Sequence, residues 1–513
     1  MKLTARILLL ATLLVFASGC AVNPVTGKRE ITLVGEASEI SMGQQNYAPM
    51  RQSQGGEYDI DPELTAYVSS VGQRLAAVSD RPLPYEFVVL NNSVPNAWAL
   101  PGGKIAINRG LLTELDSEAE LAAVLGHEIV HAAARHTARR MEQGMLLQGL
   151  VLATAVATSD SDYGNFAVGG ANLAAQLVSQ KYGRSAELES DYYGMRYMAR
   201  AGYNPEGAVS LQKTFVRLND GRQTDWLTGL FASHPPSEER VATNIKTAAE
   251  LGATGEFGDD RYRKVMAKTM AAIPAYKVYD EGREALGKNN PQEALAKAEQ
   301  AIGMLPAEAH FYALRGDARL LQKDYQSAIQ NYDIALRRRS DFFYYYLQRG
   351  RAYNETGNIG AAEADLEKSL TLLPTGPAHL MLGDIAARRG NNAKALEHYK
   401  VVAQGEGEVA QRAQTSMTRL DIGQNPGNYI QNRCDPDGSG NLVVSVRNAT
   451  QLAVRGVVVA VQYNDNAGRV RQVQKAINQT LSPGEIASVN TGLAPYAAGS
   501  GCPVAVVRAS VAE

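Results

Sequence analysis

Small residues recur at a fixed interval in the second half of the chain, and that interval restricts the fold more than any other feature. Gly282, Gly316, Gly350 and Gly383 are separated by 34, 34 and 33 residues, and Ala294, Ala328, Ala362 and Ala395 keep the same spacing. Two phased markers in four copies require one helical unit used repeatedly, with its two antiparallel helices closest at the small positions. Pro306 and Pro374 fall between units, where a helix has to end. A unit of this length cannot bury its apolar face alone. Residues 263–420 are therefore predicted to stack into an α-solenoid with a concave binding surface.

The pattern resembles the tetratricopeptide repeat, whose period is about 34 residues. The resemblance implies protein partners docked on the repeats. Arg337, Arg338 and Arg339 precede Asp341, Phe342, Phe343 and three tyrosines. We read the aromatics as packing positions of a repeat helix and the arginines as a solvated turn.

At 513 residues the chain is too long for one core. Its formal net charge of -2 argues against a nucleic-acid partner, which calls for a concentrated basic surface. Lys2 and Arg6 precede an apolar run from Ile7 to Ala17, too short for a membrane span and suited to a signal-peptide core. The run closes on Ala17-Ser18-Gly19-Cys20, which resembles the bacterial lipobox. That likeness predicts a signal peptide over 1–19 and lipidation of Cys20. An ordinary signal peptide with a cysteine near its end is the alternative. Ala21 rather than an aspartate follows, which by resemblance to sorted lipoproteins implies the outer membrane of a Gram-negative envelope, facing the periplasm. Met145 to Ala157 is too short to span a bilayer and reads as a buried helix rather than a membrane-touching lid, so the chain beyond its anchor is expected to be soluble.

The remaining cysteines, Cys434 and Cys502, lie in the last segment, where an exported chain meets an oxidising compartment and a disulfide between them is expected. Neither belongs to a Cys-x-x-Cys pair, so a thiolate metal site is not expected. Around them, Asn441 to Arg447, Ala453 to Tyr463, Val470 to Ile477 and Val504 to Val511 are rich in β-branched residues. Residues 425–513 are predicted to form an antiparallel β-sandwich.

Residues 20–262 read as a mainly helical α+β domain. Tyr85 to Leu90 is a predicted strand. After the turn signal Pro101-Gly102-Gly103, so is Lys104-Ile105-Ala106-Ile107-Asn108. Ser117 with Glu120 matches a capping box and opens a long helix. Residues 158 to 171 read as a loop, and a second helical run covers roughly Leu173 to Arg200.

The capped helix carries His127-Glu128-Ile129-Val130-His131. Histidines four apart lie one turn above each other, so both imidazoles can reach one metal ion while Glu128 projects toward a metal-bound water. The bland reading is a pair of buried helix histidines. A catalytic zinc needs a third protein ligand. His136 lies nine residues past His127, about half a turn round at 100° per residue, and is expected to face away. Ala134 and Thr137 stand where a metzincin would need Gly and His, which excludes that class. Glu187 and Asp191 share a helix face, so Glu187 can enter the metal shell while Asp191 accepts a proton from a ligand imidazole. A solvated acidic face is the alternative. His234 sits in the rigid Ser233-His234-Pro235-Pro236 segment. It could stabilise an oxyanion, fill the open zinc position and hold an enzyme latent, or be a loop histidine without a role.

Leu125-Gly126-His127-Glu128, Glu187-x-x-x-Asp191, Ser233-His234-Pro235-Pro236 with Arg240, and Asn96-Ala97-Trp98-Ala99-Leu100-Pro101-Gly102-Gly103 resemble the M48 family of metallopeptidases; Asn23-Pro24-Val25-Thr26-Gly27 resembles its bacterial members. The resemblance implies a zincin-type fold, zinc on His127, His131 and Glu187, Glu128 as general base, and Asp191 and Arg240 behind the ligands. It also implies His234 on a loop near the zinc, and the 104–108 strand along the cleft as a pairing edge for an extended substrate. The expected function is a zinc-dependent endopeptidase of the cell envelope acting on misfolded or stalled outer-membrane or periplasmic proteins, with partners such as outer-membrane assembly machinery on the repeats. The rival is a latent scaffold or chaperone for outer-membrane protein assembly. The anchor and the β-domain fall outside the family pattern.

Overall fold

The computed structural model describes residues 20–140, 142, 182–221, 233–437, 439, 441–464, 469–493 and 502–512. The signal-peptide segment, Met145 to Ala157, the 158–171 loop and the start of the second helical run lie outside these residues. Among the described residues no helix is long and apolar enough to cross a membrane.

The chain divides into two compact units, Met1–Pro374 and Thr375–Glu513. The division falls inside the repeats and not near 262 or 420. The reason is a continuous helix, Asp259–Gly287. It begins in the core of the catalytic half through Tyr262 and Met266, and ends as the first repeat helix at Gly282.

In the first unit, strands β1 (Cys20–Val22) and β2 (Arg29–Ile31) form an antiparallel pair. A second sheet holds β3 (Glu86–Leu90), β4 (Ala97–Leu100) and β5 (Lys104–Asn108) in the order β3-β5-β4. Against it packs a helix over Glu118–Ala133, every residue of which is buried. Its start obeys the cap read from sequence: Ser117 Oγ accepts from the Glu120 amide at 3.1 Å, and Glu120 Oε2 accepts from the Asp116 amide at 2.7 Å. Helix packing then falls to glycine. A Cβ on Gly126 would lie 3.1 Å from the Gly194 carbonyl oxygen, and one on Gly194 would lie 3.1 Å from the Gly126 carbonyl carbon. The helix Arg184–Arg200 therefore crosses Glu118–Ala133 at backbone contact. Glu187, Asp191 and Gly194 follow the i, i+4, i+7 stripe of that helix, so the glycine contact turns both carboxylates toward the histidines.

The repeat glycines do what their period implied. A Cβ at Gly316 would sit 2.7 Å from the Tyr332 ring, and one at Gly350 would sit 3.1 Å from Leu366 Cγ. Ala294, Ala328 and Ala362 have no exposed surface. Phe342, Phe343 and Tyr345 are fully buried packing positions, while Arg337 and Arg338 are exposed. Arg339 departs from the solvated-turn reading: it is buried and donates to the Glu57 carbonyl at 2.5 Å. Beside it, Gln52 donates to Asp341 O at 2.6 Å and accepts from the Phe343 amide at 2.9 Å. These bonds join the repeats to the segment 52–57 of the catalytic half.

His310 completes that junction, with Nε2 2.9 Å from Gly55 O and Nδ1 2.6 Å from the Tyr345 hydroxyl. Burial, against the pull of Glu308, moves its pKa down to about 4. The folded state keeps the imidazole neutral where the unfolded chain, near 6.5, takes up a proton. The junction is thus fully stable above about pH 6.5 and weakens by up to about 1.4 kcal/mol per pH unit as pH falls toward 4. Amide exchange in helix 309–321 is expected to show that slope, and His310→Gln to flatten it.

The second unit holds helices Gly376–Arg388, Asn392–Ala403 and Gly407–Asp421, then two antiparallel three-stranded sheets. Gly383 meets the Tyr399 ring as in the earlier repeats. One sheet orders Ile486–Asn490, Leu442–Asn448 and Ile430–Pro436; the other orders Val504–Val511, Val454–Asn464 and Val470–Ile477. Val444 and Val446 of the first share one apolar cluster with Val457, Val459 and Val461 of the second. Cys434 and Cys502 are joined, with Cα atoms 5.8 Å apart.

Candidate metal centre

His127, His131, Glu187 and His234 each bring one donor atom into a buried cluster whose members all lie within 4.8 Å of one another. His127 Nε2 is 3.0 Å from His131 Nε2 and 3.3 Å from His234 Nδ1. Glu187 Oε1 is 3.1 Å from His234 Nδ1 and 3.4 Å from His131 Nε2, and Glu187 Oε2 is 3.5 Å from His127 Nε2. Four donors at about 2.1 Å from a tetrahedral ion stand about 3.4 Å apart, so the spacing suits zinc. Glu128 lies beside the cluster, with Oε1 3.6 Å from His234 Nε2. Its Oε2 is buried and has no hydrogen-bond partner, which leaves one acceptor unsatisfied.

Both cluster histidines of the helix are held from behind. Asp191 Oδ1 lies 2.9 Å from His127 Nδ1, and Arg240 donates from Nε to Asp191 Oδ2 and from Nη2 to Oδ1, each at 2.7 Å. Arg240 Nη1 also pairs with Glu187 Oε2 at 2.9 Å. With Nδ1–H given to Asp191, the free lone pair of His127 is on Nε2 and faces the cluster.

His131 is held by a residue that sequence reasoning turned the wrong way. The helix ends at Ala133, and Arg135 takes φ 62° while its guanidinium bonds Glu39, Thr32 and the Val34 carbonyl. The chain therefore folds back. His136 stands outside the four-donor cluster, but its Nδ1 lies 2.9 Å from His131 Nδ1 and its Nε2 lies 3.1 Å from Glu189 Oε1. Read from the carboxylate, His136 Nε2–H donates to Glu189, and its bare Nδ1 accepts from His131 Nδ1–H. His131 Nε2 is then left unprotonated toward the metal position. His136→Ala is expected to weaken zinc binding about 10- to 100-fold, measured by chelator competition. Tyr182, also missed, stacks on His131 with ring centroids 3.8 Å apart and donates its amide to Ser233 O at 3.1 Å, next to His234. Nothing local in the sequence marks it.

The electrostatics favour a cation. Burial alone would raise Glu187, but the His234 and His127 imidazoles outweigh it and hold the carboxyl well below the usual range. Burial likewise works against Asp191, and Arg240 outweighs it. Burial opposes a proton on His127, yet Glu187 and Asp191 lift it to about 9, while burial drives His131 well down. Two buried carboxylates thus face one guanidinium. Burial raises Glu128, and the His234 and His127 imidazoles work against it.

One expected site element is misplaced. Lys104, Ile105, Ala106, Ile107 and Asn108 form the middle strand, parallel to β3 on one side and antiparallel to β4 on the other, with all five residues buried. A central strand has no free edge to offer a peptide. The edge nearest the site is β4, where Thr137 Oγ1 bonds the outward Ala99 carbonyl at 3.3 Å. Cys20 begins β1, and Cys434 and Cys502 belong to the second unit.

Such a helix-borne His-Glu-x-x-His pair, closed by a carboxylate from a crossing helix, defines the metallopeptidase class. Residues 62–247 match Peptidase family M48, and residues 279–342, 324–377 and 347–409 match the tetratricopeptide repeat. The match to the peptidase family thus precedes, along the chain, the matches to the tetratricopeptide repeat. A β-barrel assembly-enhancing protease of Yersinia pestis is 29% identical over 282 residues, covering 53% of this chain and 57% of that protein. A mitochondrial metalloendopeptidase of Schizosaccharomyces pombe is 32% identical over 223 residues, covering 42% and 63%. Metalloprotease YcaL of Escherichia coli is 26% identical over 263 residues, covering 47% and 96%. The chain spans roughly half the length of the β-barrel assembly-enhancing proteases it matches.

Proposed function

We propose that the chain is a zinc-dependent endopeptidase of the Gram-negative cell envelope, held latent by His234. The observation that carries this reading is the four-donor cluster with Glu128 at its rim. His127, His131 and Glu187 would hold the ion, and His234 would stand at the position that substrate needs. When bound, zinc supplies a Lewis acid that polarises the scissile carbonyl and makes water more acidic. Glu128 removes the proton of the attacking water and returns it to the leaving nitrogen as the C–N bond breaks. Asp191 and His136 keep the two imidazoles in the tautomers that ligation requires. Arg240 holds Asp191 and Glu187 in place. An extended substrate pairs with β4 rather than β5.

Around this site we assign the finer features as follows: a signal peptide over 1–19 with Cys20 lipidated at the outer membrane, and a catalytic domain to about residue 262. An α-solenoid of repeats follows to about 420, then a β-sandwich from 425. Clients are misfolded or stalled outer-membrane or periplasmic proteins. The name of the Yersinia relative supports the link to β-barrel assembly. The same His234 favours a second reading, a latent scaffold or chaperone in that assembly. The test is cleavage of an unfolded protein by the purified chain: the peptidase reading requires that a chelator abolish it and zinc restore it. Cleavage that survives chelation overturns the metal site.

A further inference from the structure

Strands β1 and β2 are joined by a turn that closes on the side chain of its first residue. Asn23 Oδ1 accepts from the Val25 amide at 2.9 Å and from the Thr26 amide at 3.1 Å. The Gly27 amide donates to the Asn23 carbonyl at 2.9 Å, and Gly27 takes φ 69°, which suits a residue without a Cβ. Pro24 fixes φ at the second position and has no amide to satisfy. The turn thus uses the oxygen of Asn23 and leaves its two side-chain N–H groups over. They are not given to water, because Asn23 is 2% exposed.

Both are used at the end of the metal-bearing helix. Asn23 Nδ2 donates to the Ala134 carbonyl at 3.0 Å and to Glu30 Oε1 at 3.1 Å. Arg139 closes the ring, with Nη2 donating to the same Ala134 carbonyl at 2.9 Å and Nη1 to Glu30 Oε1 at 2.8 Å. A carbonyl at a helix end lacks an intrahelical donor, and here it receives two. The next residue is the left-handed Arg135, a state that a non-glycine residue keeps only where its surroundings impose it. Beyond it, the Arg139 amide bonds the Arg135 carbonyl at 2.8 Å, which puts Arg139 on one helical turn with His136. Arg139 Nη2 also stands 3.9 Å from Glu189 Oε1, the oxygen that His136 Nε2 faces at 3.1 Å. Polar contacts therefore run without a break from Asn23 through Glu30, Arg139, Glu189 and His136 to His131. We propose that Asn23 is a positioning residue for the metal centre: through Ala134, Glu30 and Arg139 its side chain sets where His136 stands, and so how firmly His131 presents Nε2 to zinc.

The inference rests on the metallopeptidase reading, and zinc affinity separates the two. It is measured by chelator competition on the purified full-length chain, on Asn23→Asp, on His136→Ala and on the double variant. Aspartate keeps the oxygen that the turn needs and lacks the N–H groups that reach Ala134 and Glu30. Asn23→Asp is expected to weaken zinc about tenfold, the low end of what groups supporting a ligand contribute. In the His136→Ala background the same substitution is expected to change affinity by less than about twofold, because the route through His136 is already cut. Equal losses in the two backgrounds would mean general loosening of the fold and overturn the proposal, and so would unchanged affinity in Asn23→Asp. If Asn23→Asp does not fold, Arg139→Gln takes its place in the cycle with the same outcomes, since that side chain is 29% exposed. An unaltered chain that binds no zinc overturns the metal site itself, whereas the cycle is read in a chain that binds it.

Discussion

Glu128→Gln is expected to lower peptide cleavage by about 10²- to 10⁴-fold, the contribution of a positioned general base, while zinc content stays unchanged. The carboxylate lies 3.6 Å from His234 and outside the four-donor group, so the substitution removes a proton acceptor without removing a ligand. Glutamine keeps the shape and an oxygen but cannot take a proton from water. Burial raises the Glu128 pKa, and its Oε2 has no hydrogen-bond partner. A drop in kcat with KM little changed separates loss of chemistry from loss of binding. Retained turnover would remove Glu128 from the mechanism.

His234→Ala carries the opposite sign. Its Nδ1 stands in the ligand cluster, 3.1 Å from Glu187 and 3.3 Å from His127, so a peptide carbonyl must displace it. If the position is open about 1–10% of the time, freeing it permanently raises activity about 10- to 100-fold. Zinc remains on His127, His131 and Glu187. Unchanged or lower activity would instead give His234 a part in stabilising the substrate's oxyanion.

Local spacing was enough for much of this site. Histidines four apart and carboxylates four apart are statements about one helix face each, and the Gly126–Gly194 contact only brings those faces together. The repeat period carried the second half because each interval is one packed unit, and the β-branched runs carried four of the six strands among the described C-terminal residues. What failed depended on distant parts of the chain. Sheet order placed β5 in the middle, since strand neighbours are chosen by tertiary packing and not by the strand's own residues. Extrapolating the helix past Ala133 turned His136 outward, because the left-handed Arg135 that breaks it is held by Glu39 and Thr32, far away in sequence. Strand Ile430–Pro436, polar and largely exposed, offered no alternation to read.

The central claim is that a single zinc ion sits among these four side chains. Anomalous diffraction from zinc-loaded crystals, recorded above and below the zinc edge, tests it most directly. One peak is expected within about 2.0–2.3 Å of His127 Nε2, His131 Nε2, a Glu187 oxygen and His234 Nδ1. A peak elsewhere, or none in a chain that still cleaves peptides, would contradict it.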